Sequence, residues 1–258
     1  MAVAQPLNNL ARSLKALGDD TRLSIVRLLA STDMTAGEIQ AQVGAPQNMV
    51  SYHLRMLRSL GLLRDRRSSR DARDVYYSVD LNRLQRLYQA IGAALHEGLA
   101  ANVGSQDDTS SQPIRVLFLC THNSARSQLA EGLLRKLGGK DVEVWSAGND
   151  PLSVHPLTVW LLDEWDIDPS GHVAKDVASL VSERFDYVIT VCDKAREHCP
   201  SFPGNPKRMH WSLPDPLAVD DPEEQLRVFR TIGDDLTTRV RYFLLGVPSK
   251  RNNNKGGM

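Results

Sequence analysis

The sequence predicts two domains of different class: a mainly α-helical domain with a winged helix-turn-helix, then an α/β domain with a parallel sheet flanked by helices. Three observations predict this. At 258 residues the chain is long enough for two separate cores. Apolar residues recur at helical spacing through the first hundred positions, with one short break into strand-like sequence. Beyond residue 113, continuous apolar runs alternate with amphipathic stretches, as strands buried on both faces alternate with covering helices. The small, polar stretch ANVGSQDDTSSQP (101–113) separates the two patterns and is expected to be a linker. The expected domains are therefore 1–100 and 114–248. The tail 249–258 has nothing to bury and is expected to be disordered.

In the first half, Leu7, Leu10, Leu14 and Leu17 mark one helix, stopped by Gly18. Asp19 or Asp20 can cap a second, which carries Leu23, Ile25, Val26, Leu28 and Leu29. Thr35 begins a third with Ile39 and Val43, ending at Gly44. Pro46 suits the first turn of a fourth, QNMVSYHLRMLRSLG, with Val50, Leu54, Leu57 and Leu60 inward and Gly61 at its end. LLRDRRSSRDARDVYYSV gives two short strands around a charged turn, and LNRLQRLYQAIGAALHEGL a closing helix.

Helix, tight turn, helix and hairpin in that order make a winged helix-turn-helix. The fourth helix offers Gln47, Asn48, Ser51, Tyr52, His53 and Arg55, side chains able to read base edges in a major groove. Around the hairpin tip Arg64, Arg66, Arg67, Arg70 and Arg73 outnumber Asp65, Asp71 and Asp74, a local cationic excess suited to phosphates. Formal net charge over the whole chain is zero, so only this local patch argues for nucleic acid.

ALGDDTRLSIVRLLA and VSYHLRMLRSLGLL resemble the ArsR/SmtB family of winged-helix repressors, over about residues 7–100. The resemblance implies a homodimer formed through the first and last helices, bound to palindromic operator DNA and released on sensing a metal or metalloid. Arsenic-sensing members carry a cysteine pair at the start of the third helix. This chain has AGEIQAQVG there and no cysteine before Cys120, so this half lacks a soft thiolate trap. His53 then reads as a DNA contact, and His96 with Glu97 as surface.

In the second half RVLFLC (115–120), VEVWSAG and FDYVITVC are strand-like, and SQLAEGLLRKLG and HPLTVWLLDEWDI helix-like. Cys120 ends the first strand and a helix opens near Arg126, so Thr121, His122, Asn123, Ser124, Ala125 and Arg126 form a strand-to-helix loop where α/β ligand sites occur. Successive N–H groups and the helix dipole attract an anion there and favour a thiolate. Arg126 can grip two oxygens of a tetrahedral oxyanion with its planar fork. A nucleophile is thus set under an anion.

CTHNSARSQLAE resembles the low-molecular-weight tyrosine phosphatase fold, and more closely its thioredoxin-coupled arsenate reductase branch. The resemblance implies attack by Cys120, a loop fixed by Asn123, a thiolate stabilised by Ser127, and a late Asp-Pro, here Asp215–Pro216, as general acid. VCDKAREHCP places Cys192 at a strand end and Cys199 seven residues on, the spacing of the reductase branch. The implied relay runs from a Cys120 arsenate adduct through a Cys120–Cys192 disulfide to a Cys192–Cys199 disulfide recharged by thioredoxin. Some members bind potassium beside the loop, and Asn123, Glu131, Ser146 and Asp176 fall at compatible positions. No tightly bound cofactor is otherwise implied.

Leu217 stands where phosphatases carry an aromatic after Asp-Pro, which weakens the alternative of a regulator fused to a tyrosine phosphatase. A second alternative is a non-catalytic oxyanion or redox sensor. No apolar run is long enough to span a bilayer, the N-terminus has no secretory pattern, and three sparse cysteines read as reactive thiols, so a cytoplasmic protein without a membrane partner is expected.

Overall fold

The structure, a computed structural model, describes residues 7–71, 73–95 and 112–247, with side chains from Leu10 onward. The chain divides into two compact units, Met1–Asp108 and Thr109–Met258. The linker expected at 101–113 lies, apart from its last two residues, outside the described residues, as do the tail and His96 with Glu97.

The first unit runs α1 (Leu7–Leu17), α2 (Asp20–Leu29), β1 (Met34–Thr35), α3 (Ala36–Val43), α4 (Gln47–Ser59), β2 (Leu63–Arg67), β3 (Val75–Val79) and α5 (Leu81–Leu95). Asp19, of the two capping candidates, caps α2 by accepting the Arg22 N–H. Thr35 and Glu38 cap α3 reciprocally, Thr35 N–H donating to Glu38 Oε2 at 2.8 Å. Gly44 ends α3 at φ 66°, a left-handed turn that a side chain would strain, and this turn lets α4 leave at once. The core is built from Ile25, Ile39, Val50, Leu54, Leu57 and Leu62, each almost fully buried. β2 and β3 form the expected antiparallel hairpin, with Leu63 opposite Val79 and Arg67 opposite Val75. β1 adds a third strand on the other side of β3, pairing Met34 with Tyr77. Two residues are too few to show alternation, so no periodicity announces that strand.

The second unit runs β4 (Ile114–Cys120), α6 (Arg126–Gly138), β5 (Val142–Gly148), α7 (Pro156–Glu164), β6 (Tyr187–Thr190), α8 (Asp193–Glu197), β7 (Lys207–His210) and α9 (Pro222–Gly246). Its four strands lie in the order β5-β4-β6-β7, all parallel, flanked by helices. β4 is interior and reads apolar throughout because both faces are covered: Val116, Leu117, Phe118 and Leu119 are wholly buried. Side chains of that size contribute about 2 kcal/mol each on burial. α9 closes the core through Phe229, Ile232, Leu236, Val240 and Phe243, with Phe243 edge-on to Tyr187 at 5.0 Å between ring centroids. Neither β7 nor α9 is among the elements that the sequence predicts. α9 did carry a start signal, Asp221 capping Pro222-Glu223-Glu224. β7, with the sequence KRMH, carried none.

Candidate active site

Parallel pairing brings the carboxyl ends of three strands together. Cys120 at the end of β4 stands opposite Gly148 at the end of β5, and Leu119 stands opposite Thr190 at the end of β6. The loop 121–125 rises from that edge into α6.

Cys120 is buried, and polar groups meet its sulfur from two directions. The Asn123 N–H donates to Sγ at 3.1 Å, and Ser127 Oγ lies 2.9 Å away. Asn123 holds the loop in shape. It sits at φ 47°, a left-handed conformation that asparagine tolerates better than most residues, and its side chain is fully engaged. Nδ2 donates to Ser127 Oγ at 2.9 Å and Ser146 Oγ at 2.8 Å. Oδ1 accepts from Lys175 N at 2.7 Å and Gln128 Nε2 at 3.1 Å.

The loop carbonyls all find donors away from the sulfur. Thr121 O accepts from Asp150 N, His122 O from Leu152 N, Asn123 O from Gln128 Nε2, and Ser124 O from His155 N and Thr158 Oγ1, at 2.9–3.1 Å. In a planar trans peptide the following N–H points opposite to the carbonyl. Anchoring four carbonyls therefore turns the N–H groups of 122–125 the other way, as Asn123 N–H illustrates. Such a run of N–H groups can cradle an anion with backbone alone. Gly148 makes it possible: a Cβ there would lie 2.6 Å from Thr121 O and 2.8 Å from Asn123 N.

Arg126, buried at the head of α6, directs its guanidinium to the segment between β7 and α9. It lies 3.3 Å from Asp215 Oδ1 and donates to the carbonyl oxygens of Leu213 and Pro214 at 3.5 and 3.4 Å. The expected general acid and the expected oxyanion grip thus share one locus. Asp215 also accepts the Leu217 N–H at 3.2 Å, and Leu217 is exposed. Of the remaining loop residues, Ser124 and Ala125 are buried, while Thr121 and His122 are half-buried, His122 Nδ1 lying 3.0 Å from Asp150 O.

The second cysteine is beside this loop. Cys192 Sγ lies 3.3 Å from Thr121 Oγ1 and accepts the Ala195 N–H at 3.4 Å, capping α8. Burial pushes its thiol up, Arg126 opposes that, and charge on Cys120 adds to it. Cys199 follows α8, half-buried, its thiol directed to Pro200 O at 3.7 Å and raised by burial.

The four residues compatible with potassium already have protein partners. Glu131 is buried but already paired with Arg135 and, at 3.5 Å, with Lys175 Nζ, and it accepts from Ser146 Oγ. Asn123 turns its NH2 toward Ser146, and Asp176, exposed, caps the turn at Ala178. Among these four residues the one buried carboxylate, Glu131, thus has two protein cations beside it.

In the first unit Gln47, Asn48, Ser51, Tyr52 and Arg55 of α4 are exposed, as are Arg67, Arg70 and Arg73 of the hairpin, with Arg66 half-buried. Arg73 is engaged with Asp71 at 2.7 Å, which holds the Asp71 carboxyl down to about 2. His53 is a correction: it is buried, with Nδ1 3.3 Å from Arg22 and 3.9 Å from Asp19, so it packs α4 onto α2 and does not face a groove. Helical phase explains it, because 53 falls on the same inward stripe as 50, 54 and 57.

Sequence reasoning missed Gly148, Gln128, Lys175 and His172, whose Nδ1 lies 2.8 Å from Gln128 Oε1 and whose ring burial disfavours protonation. Gln128 lies within the loop motif, next to Ser127, whereas Gly148, Lys175 and His172 lie outside it and reach it only through the fold.

Residues 17–66 match a helix-turn-helix domain model. The arsenate reductase 1 of Staphylococcus haemolyticus is 36% identical over 128 residues, covering 50% of this chain and 92% of that protein. The arsenate reductase of Halalkalibacterium halodurans is 36% identical over 129 residues, 50% of this chain and 93% of that protein. A solved structure described as an arsenate reductase in oxidized state is 30% identical over 50% of this chain and 95% of that one, with a TM-score of 0.45. No helix of the described residues is long and apolar enough to cross a membrane. Residues 115–253 match the model of the low molecular weight phosphotyrosine protein phosphatases, more than half of the 258, and the chain belongs to that family, with a helix-turn-helix domain ahead of it.

Proposed function

We propose that the chain joins an ArsR-type DNA-binding regulator, about residues 1–100, to a thioredoxin-coupled arsenate reductase, about 114–248, in one cytoplasmic protein. The observation that carries the reductase reading is the Cys192 thiol lying against Thr121, the residue next to the nucleophile. A phosphatase needs one thiol, because water completes its cycle. A reductase must deliver two electrons and needs more.

Arsenate enters the N–H cradle with Arg126 on two of its oxygens. The Cys120 thiolate bonds to arsenic, and Asp215 protonates the departing oxygen, which leaves as water. Ser127 and the Asn123 N–H support the sulfur throughout. The Cys192 thiolate then attacks Cys120 Sγ. The S–As bond breaks with its electron pair going to arsenic, so As(V) becomes As(III) and arsenite departs, leaving a Cys120–Cys192 disulfide. Cys199 attacks Cys192 Sγ, restoring the Cys120 thiolate and forming Cys192–Cys199. The dithiol of thioredoxin reduces that disulfide and is itself oxidised.

In the regulator, the exposed face of α4 contacts base edges and the hairpin arginines contact phosphates of operator DNA. Leu14 on α1 and Tyr88 and Leu95 on α5 are exposed at 47%, 71% and 73%, a surface suited to pairing with a second copy. The test is NADPH oxidation by the full chain with thioredoxin and thioredoxin reductase. Arsenate-dependent oxidation is expected. Its absence, combined with multiple turnover of p-nitrophenyl phosphate by C199S, would establish the phosphatase instead.

A further inference from the structure

Behind Cys192 lies a buried polar cluster that the reaction as described does not use. Asp193, 1% exposed, is the first residue of α8. Its Oδ1 accepts from Ser212 Oγ at 2.6 Å and lies 3.2 Å from His210 Nε2. His210, 2% exposed, lies in turn 2.8 Å from Thr190 Oγ1 and 3.2 Å from Thr190 O through Nδ1. The cluster thus stitches the start of α8 to the ends of β6 and β7. Carboxylates are rarely buried without a specific reason, since burial is costly unless the charge is paired.

The relay asks opposite things of the two ends of α8. Cys192 caps the helix and Cys199 stands two residues beyond its last residue, Glu197. The five helical residues 193–197 alone rise about 7.5 Å, whereas disulfide-bonded Cα atoms lie within about 7 Å. α8 must unwind for Cys199 to reach Cys192, yet Cys192 must stay beside Cys120 to be exchanged. The two ends are held in keeping with that. The amino end has the buried Asp193 cluster and the Val191 N–H donating to Leu119 O at 2.8 Å. The carboxyl end is held at His198, which is exposed: His198 Nδ1 lies 2.9 Å from Lys194 O, and Asn149 Nδ2 donates to His198 O at 3.2 Å.

We infer that Asp193 is a positioning residue: clamped by His210 and Ser212, it fixes Cys192 at the sheet edge while the rest of α8 unwinds, so that Cys199 does the travelling. This inference rests on the relay reading, deepening its exchange steps.

The test uses the full-length protein and follows single turnovers by acid quench, alkylation and peptide mass mapping. In a C199S background, arsenate should convert Cys120 and Cys192 to a disulfide. D193A in that background should slow this step at least about tenfold, as small misplacements of a reacting group do. The rate of Cys120 alkylation by iodoacetamide should stay unchanged. D193N, which keeps the Ser212 hydrogen bond without the charge, should fall between, and it covers the case in which D193A does not fold. A purely structural role would lower the melting temperature and leave the exchange rate of the folded fraction as it was, which overturns the inference while the relay stands. Absence of any Cys120–Cys192 disulfide in the C199S parent would overturn the relay and the inference together.

Discussion

Thr121 Oγ1 lies 3.3 Å from Cys192 Sγ, a contact between residues 71 positions apart. It follows from strand order: β4 and β6 are parallel neighbours, so the residues just past their carboxyl ends meet. The contact also bears on how Cys192 ionises. Burial raises its thiol, charge on Cys120 raises it as well, and Arg126 acts the other way. Two adjacent thiolates are therefore disfavoured.

Gly148 should tolerate no side chain. In G148A the new methyl meets Thr121 O and Asn123 N, both backbone of the cradle, and neither can retreat without breaking it. Arsenate reduction should fall about a hundredfold or more, measured as kcat/KM, with the helix-turn-helix unit still binding DNA. Wild-type rates in G148A would show that the loop does not need its close approach to β5.

The second exchange should be governed by Cys199. Burial raises its thiol and Arg208 acts the other way. Only the thiolate attacks, so a raised thiol means less thiolate at neutral pH and a rate that climbs about tenfold per pH unit. Formation of Cys192–Cys199 should still be accelerating above about pH 8.5, the ordinary thiol value, and R208M should shift the profile further alkaline. A plateau below that pH would contradict the assignment.

Potassium should have no specific effect. Glu131 already carries Arg135 and Lys175, so exchanging sodium for potassium at constant ionic strength should leave the melting temperature and the KM for arsenate unchanged. A potassium-dependent rise in melting temperature would mean that Lys175 yields its place.

The DNA face makes two separable predictions. R67A and R70A should each lower the slope of log K against log salt on duplex DNA by about one, the signature of a lost phosphate contact. H53A should instead lower the melting temperature, because the ring packs between α4 and α2, with affinity per folded molecule unchanged. A salt-slope change in H53A without destabilisation would return His53 to the groove.

Much of this was legible in the sequence because the relevant signals were local. The apolar run of β4, the loop from Cys120 to Arg126 and the capping of α2 and α3 each occupy a few consecutive residues. His53 misled because residue type suggested a base contact while helical phase placed it inward, and phase prevails when a stripe must be buried. β1 and β7 were invisible because sheet pairing, not propensity, makes strands of MT and KRMH. Gly148, Lys175, His172 and the Asp193–His210 pair act across the fold, and no spacing within the chain reveals which distant residues a parallel sheet will bring together.

The central claim, that three thiols pass one oxidation along, is tested most directly by adding one equivalent of arsenate to fully reduced protein without thioredoxin. After quench and alkylation, the wild-type chain should carry a Cys192–Cys199 disulfide with Cys120 alkylated, and C199S a Cys120–Cys192 disulfide, each with one arsenite released. Alkylation of all three cysteines in the wild type after exposure to arsenate would contradict the account.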